Sequence, residues 1–153
     1  MTEKFSVIIP LYNKGPYIVR AIDSVLQQTN QNFEIIVIDG GSEDDGPKIV
    51  KEFNNPRIHL LVQSGKGVSN ARNEAVNCAK NEYIAFLDAD DEWMPKHLET
   101  ILGLIEKYPQ AGMYTTAHKE QTKDGKTQWP DYRYIPNPPW EGLLPDYFKS
   151  IYF

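Results

Sequence analysis

Residues 83–99 read YIAFLDADDEWMPKHLE, and within them an apolar run stops abruptly at Asp88, Asp90 and Asp91. The run from Glu82 to Asp88 carries aromatic and branched side chains with little polar alternation, the pattern of a strand buried on both faces. Three earlier runs share it: Phe5 to Pro10 (FSVIIP), Phe33 to Asp39 (FEIIVID) and Arg57 to Gln63 (RIHLLVQ). Around them, apolar residues recur at helical spacing: Ile18, Ala21, Ile22, Val25 and Leu26, then Val68, Ala71, Ala75, Val76 and Ala79, then Leu98, Ile101, Leu102 and Ile105. The order β-α-β-α-β-α-β-α predicts an α/β fold, a mainly parallel sheet with helices on both sides.

After KYPQAG, ending at Gly112, the pattern alternates more. Asp124-Gly125 is a hairpin signal, so antiparallel strands are predicted near Met113 to Gln121 and Lys126 to Tyr132. IPNPPWEGLLP is proline-rich and irregular, and DYFKSIYF begins an apolar segment at the end of the sequence. Residues 1–153 therefore read as a single domain that is cut rather than finished.

The 153 residues suffice for one core, since a chain of this size removes roughly two-thirds of its unfolded surface from water. With Lys+Arg 16 against Asp+Glu 21, the formal charge is -5, which argues against tracking a nucleic-acid backbone. The lone cysteine, Cys78, excludes an internal disulfide framework, fits a reducing, cytoplasmic compartment, and reads as a packed thiol. No segment approaches the ~20 apolar residues of an integral membrane span.

In an open parallel sheet, ligands bind at the carboxyl ends of the strands, where loops converge and helix N-termini present donors. Four polar clusters fall at that edge: PLYNKG (Pro10 to Gly15), DGGSEDDG (Asp39 to Gly46), SGKGVSNARN (Ser64 to Asn73) and DADDEW (Asp88 to Trp93). Singly, each has an ordinary account, because turns are polar and Ser69 or Asn70 suits a helix cap. The acidic tip resists that account. If strand geometry continues, Asp88 and Asp90 face the same way with small Ala89 between them. Two carboxylates about 5 Å apart repel by roughly 3 kcal/mol at an effective dielectric near 20, so a compensating cation is expected. A divalent ion, which prefers carboxylate oxygen, or the Arg72 guanidinium would serve.

The first strand-to-helix turn lacks G-x-G-x-x-G, and G-x-x-x-x-G-K-[ST] is absent throughout. A phosphate ligand would then be held by metal and side chains rather than by a glycine cradle. No Cys/His cluster points to zinc.

FSVIIPLYNKGPYIVRAIDSVLQQT, FEIIVIDGGSEDDG, GVSNARNEAV and EYIAFLDADDEWMPKHLE together resemble, in order and spacing, the N-terminal half of the inverting glycosyltransferase family 2, which has the GT-A fold. The likeness runs from about Phe5 to Tyr108 and more loosely through the hairpin. It implies a nucleoside-diphosphate sugar donor, most often a UDP-sugar, a Mn²⁺ or Mg²⁺ cofactor, and a saccharide or lipid-linked acceptor in cell-surface polysaccharide synthesis. By the same likeness, Pro10, Tyr12 and Asn13 lie against the base and Asp39 accepts a hydrogen bond from it. Gly40 stands where family members often have a second acid. Lys66 and Arg72 face the diphosphate and the D-x-D carboxylates. In that motif, spanning Asp88, Ala89 and Asp90, Asp88 lies near the ribose and Arg72, and Asp90 binds the metal. The general base is expected beyond Phe153, and neither Asp131 nor Asp146 sits in a matching motif. The resemblance further implies a cytoplasmic protein, with peripheral contact at the inner face of the membrane.

Two other functions fit part of the pattern. A module that binds nucleotide sugar without transferring it accords with the absence of the base. A phosphoryl-transfer enzyme accords with LDADDEW, which is similar to the D-x-D of aspartate-nucleophile phosphatases, but there the motif follows the first strand. Trp93 is expected in the core, and His59, His97 and His118 are expected to be structural, in a strand, a helix and the hairpin.

Overall fold

The computed structural model describes residues 5–122, 124–130 and 141–143. The chain divides into two compact units, Met1–Glu99 and Thr100–Phe153. The first contains four strands, β1 (Phe5–Leu11), β2 (Phe33–Asp39), β3 (Ile58–Val62) and β4 (Tyr83–Phe86), in the order β3-β2-β1-β4. All pairs are parallel: β1 meets β2 from Phe5↔Phe33 to Leu11↔Asp39, and meets β4 from Phe5↔Tyr83 to Ile8↔Phe86. Strand β3 joins the other side of β2, from Ile35↔Ile58 to Asp39↔Val62. The helices are α1 (Gly15–Leu26), α2 (Gly46–Glu52), α3 (Val68–Cys78) and α4 (His97–Lys107), the last of which crosses into the second unit.

Side-chain alternation sorts the two faces of the sheet. Ile8, Ile36 and Ile38 pack with Ala71 and Ala75 of α3, whose small side chains let the helix lie close to the strands. Leu11 points the opposite way, its methyls 3.3 Å from where a Cβ on Gly46 of α2 would stand. Helix α1 buries Ile18, Ala21, Ile22 and Val25, the stripe its spacing predicts. All seven residues of β2 are buried, because it is central and covered on both faces. Each fully buried Ile or Val there contributes about 1.5–3 kcal/mol.

At the amino end of the sheet lies a buried carboxylate. Glu34 Oε1 accepts hydrogen bonds from Ser6 Oγ at 2.7 Å, the Lys80 backbone N–H at 2.8 Å and Asn81 Nδ2 at 3.4 Å. His59 Nε2 and Lys80 Nζ stand 3.5 and 3.8 Å from its other oxygen. Glu34 thereby joins β1, β2 and β3 to the turn before β4.

Strand β4 is shorter than its apolar run. Leu87 N–H still donates to Ile8 at 3.1 Å, but then Asp91 N–H bonds back to Asp88 O at 3.0 Å. The chain is in a turn at Asp88–Asp91, so the expectation of shared facing by strand alternation does not hold: aspartate is a turn former, and its charge draws the backbone into solvent. Cys78 is exposed rather than packed, because α3 is apolar only along its inner stripe. Trp93 is half-buried and outside the core, stacked on His97 with ring centroids 4.3 Å apart. Burial lowers the pKa of His97. Ser69 and Asn70 lie inside α3, whose N-cap is Gly67 without a side-chain cap.

In the second unit, Lys107 Nζ pairs with Glu141 Oε1 at 2.5 Å, and Tyr114 Oη donates to Tyr108 O at 2.8 Å. The hairpin exists around Asp124-Gly125, but β5 (Glu120–Gln121) and β6 (Thr127–Gln128) are far shorter than their alternation predicts. Every residue of both strands is exposed, so no apolar face extends the pairing. His118 precedes β5, and Asp131, Tyr132 and Asp146 lie outside the described residues. Among the described residues, no helix is long and apolar enough to cross a membrane.

Candidate functional site

The loops after β1, β2 and β4 meet at the carboxyl edge of the first unit. Asn13 sits at φ 51°, a left-handed conformation that asparagine tolerates better than most residues. Its backbone N–H donates to Ser42 Oγ at 3.0 Å, and its side-chain oxygen accepts from Glu43 N–H at 2.8 Å. Asp44 completes the stitch: one carboxylate oxygen accepts from Gly15 N–H at 2.8 Å and the other from Gly46 N–H at 2.9 Å. It thus serves the first turn of both α1 and α2. A Cβ on Gly15 or Gly46 would stand 3.0 or 2.9 Å from those oxygens, which is why both positions are glycine.

Asp44→Ala removes the acceptor of two first-turn backbone N–H groups at once, each bond worth about 1 kcal/mol. We expect a loss of about 2 kcal/mol in urea unfolding. A loss below about 0.5 kcal/mol would show the stitch to be incidental.

Asp39 is buried at the end of β2 and accepts from Ser42 N–H at 3.0 Å. Pro10 is half-buried in β1 opposite Ile38, whereas Tyr12 is 61% exposed and holds its ring in solvent. A Cβ on Gly40 would stand 3.2 Å from Gln63 Oε1 and 3.7 Å from Tyr12 Cβ. The side chain of Gln63 therefore approaches the place of the acid that Gly40 lacks.

The acidic tip has its cations. Arg72, from α3, places Nη2 2.5 Å from Asp88 Oδ1, with its guanidinium 5.8 Å from the Phe86 ring centre. Lys14, just before α1, places Nζ 2.6 Å from Asp90 Oδ2. Arg20 donates to Asp90 O and lies 3.8 Å from Glu92. Hydrogen bonding to the Lys14 ammonium lowers the pKa of Asp90, and Asp90 in turn raises that of Lys14. The carboxylate repulsion is offset by separate cations, one of which, Lys14, does not follow from the local sequence. Ala89 is buried between the two acids.

Lys66 stands exposed in the loop before α3, without an ion pair among the described residues. Glu74 fixes the start of that loop, accepting from the backbone and hydroxyl of Ser64, each at 2.8 Å, and from Gly65 N–H at 3.2 Å. These donors, the Ser64 backbone first, lower the pKa of Glu74. Lys14, Arg20, Ser42, Asp44 and Glu74 escape a reading by motif. Only Asp44 carried a signal, as an acid two residues before a Gly-Pro helix start.

Known proteins share this framework. The chain is 44% identical over 103 residues to the uncharacterized glycosyltransferase YibD of Escherichia coli strain K12, covering 66% of this chain and 30% of that protein. Over 110 residues it is 41% identical to the Escherichia coli UDP-Glc:alpha-D-GlcNAc-diphosphoundecaprenol beta-1,3-glucosyltransferase WfgD, covering 71% of this chain and 44% of the relative. The crystal structure of S. aureus TarS 1-349 in complex with UDP is similar with a TM-score of 0.65 at 30% identity, over 69% of this chain and 33% of that one. The chain thus spans less than half the length of these relatives. The parallel sheet with loops gathered at its carboxyl edge is the GT-A arrangement that the four linked motifs predict. With the sequence profile described as Glycosyl transferase family 2 matching residues 6–150, the chain belongs to that family.

Proposed function

We propose that residues 1–153 form one donor-binding domain of an inverting glycosyltransferase, which moves a sugar from a nucleoside-diphosphate sugar to a hydroxyl of a saccharide or lipid-linked acceptor. The observation that carries this reading is the meeting of three strand-end loops at one edge, where Asp39, Arg72, Asp88 and Asp90 are each held by hydrogen bonds or ion pairs. UDP is the favoured nucleotide, in keeping with the UDP complex of TarS and the UDP-Glc in the name of WfgD. The WfgD name also includes a diphosphoundecaprenol-linked acceptor, which supports cytoplasmic work at the inner face of a membrane.

In this reading, Tyr12 offers its exposed ring to the base, beside Pro10 and Asn13, and Asp39 accepts a hydrogen bond from it. Arg72 and Lys66 face the diphosphate. The Nε of Arg72 is buried without a hydrogen-bond partner among the described residues, a donor left over for an anionic ligand. Asp90, with Ala89 and Asp88 before it, supplies the carboxylate oxygen that Mn²⁺ or Mg²⁺ prefers. No group of three or more His, Cys, Asp or Glu side chains gathers around a metal position among the described residues. That donor set suits an ion bound through one or two carboxylates, with substrate phosphate and water completing its coordination. When bound, the ion stabilises the charge that builds on the leaving diphosphate. Arg72 and Asp88 keep the donor oriented, and the stitched loops of Asn13 and Asp44 keep the base site formed.

Calorimetric titration with UDP tests the reading. Affinity is expected to be about tenfold or more higher with Mn²⁺ or Mg²⁺ than with chelator. Equal affinities would overturn it.

A further inference from the structure

We propose that Lys14 is a stand-in cation: its ammonium holds the position at Asp90 that a divalent ion takes over, and metal loading turns the side chain out of the ion pair. This rests on the donor-site reading above. The Nζ–Oδ2 distance of 2.6 Å is full contact. A hard divalent ion bound by the same carboxylate would bring a double positive charge to about 2.0–2.1 Å from one of its oxygens, the distance for Mg²⁺. Two like-charged partners crowded on one carboxylate repel each other, which favours departure of the more mobile ammonium as the ion enters.

The two cations at the tip differ in how readily they can move. Arg72 is planar, half-buried and held over Phe86, and its Nε is already withdrawn from solvent. Lys14 carries a compact charge on a flexible stem, with its side chain 41% exposed. Its neighbours are pinned, Asn13 by Ser42 and Glu43 and Gly15 by Asp44. The backbone of Lys14 therefore stays in place while its side chain swings into water. Arg20, which donates to the Asp90 carbonyl rather than to the carboxylate, holds the turn in both states. Metal affinity is thus set partly by an internal competitor, and the metal-free site is kept free of uncompensated negative charge.

The test is direct calorimetric titration of the 153-residue chain with Mn²⁺, without nucleotide, comparing wild type, Lys14→Met, Lys14→Gln and Asp90→Asn. Lys14→Met keeps the aliphatic stem, and Lys14→Gln guards against an effect peculiar to methionine. Both are expected to bind Mn²⁺ about tenfold more tightly than wild type, from loss of the competing pair and of a nearby like charge. Asp90→Asn is expected to lose the site. If both Lys14 variants match or fall below wild type while Asp90→Asn still loses Mn²⁺, the stand-in role is wrong and the donor-site reading survives. If Asp90→Asn binds Mn²⁺ like wild type, the metal position itself is misassigned and both fall.

Discussion

Replacing Asp90 with Asn is expected to erase the gain in UDP affinity that Mn²⁺ or Mg²⁺ brings, while leaving the weaker, metal-independent affinity within about threefold of wild type. The substitution keeps the shape of the side chain and its turn but removes the anionic oxygen that a hard cation requires. Direct loss of a ligand should cost at least the 10–100-fold typical of removing groups one shell further out. The Lys14 ammonium would lose its partner too, but that pair is largely solvent-exposed and contributes little to folding. Parallel UDP titrations in Mn²⁺ and in chelator separate the two components. An Asp90→Asn protein that keeps the full metal-dependent increment would remove the carboxylate from the proposed coordination.

The largest effect on stability is expected at the other end of the sheet. Glu34→Ala should destabilise the fold by about 2–4 kcal/mol, from buried donors left without an acceptor and from the space the side chain vacates. Glu34 is 1% exposed, and its loss leaves the buried Ser6 hydroxyl and the Lys80 backbone N–H without their acceptor, while Asn81 Nδ2 keeps Phe5 O. Glu34→Gln, which retains an acceptor oxygen of the same reach, should lose clearly less. Urea unfolding of both variants reads the difference. Near-equal losses, or a Glu34→Ala cost below about 1 kcal/mol, would mean that the network is replaceable by packing.

Local pattern made the centre of this fold legible and its margins less so. Strand β2 spans the whole of its apolar run because burial on both faces leaves a continuous hydrophobic signature with one reading. Strands β3 and β4, at the sheet margins, are shorter than their runs, and Val62 and Phe86 at their ends are largely exposed. At the hairpin, alternation was present without any buried face to give it meaning. The acidic residues of the site stood out because charge at the end of a buried strand is costly and therefore conspicuous. Their cations did not. Lys14 and Asp90 are 76 positions apart, and a lysine before a helix looks like any solvated surface residue until the chain brings it to the acid. Asp44 was hidden differently, within a run of acids where its two backbone partners lie on separate helices.

The reciprocal bonding of Asn13, Ser42, Glu43 and Asp44 also bears on how this region can diverge. Surface connections ordinarily accept insertions independently of one another. Here each connection completes the conformation of the other, so lengthening one without adjusting its counterpart would break several bonds together. Paired changes across the two should deviate from the sum of their separate effects, and descendants of this chain should alter them jointly or leave both alone.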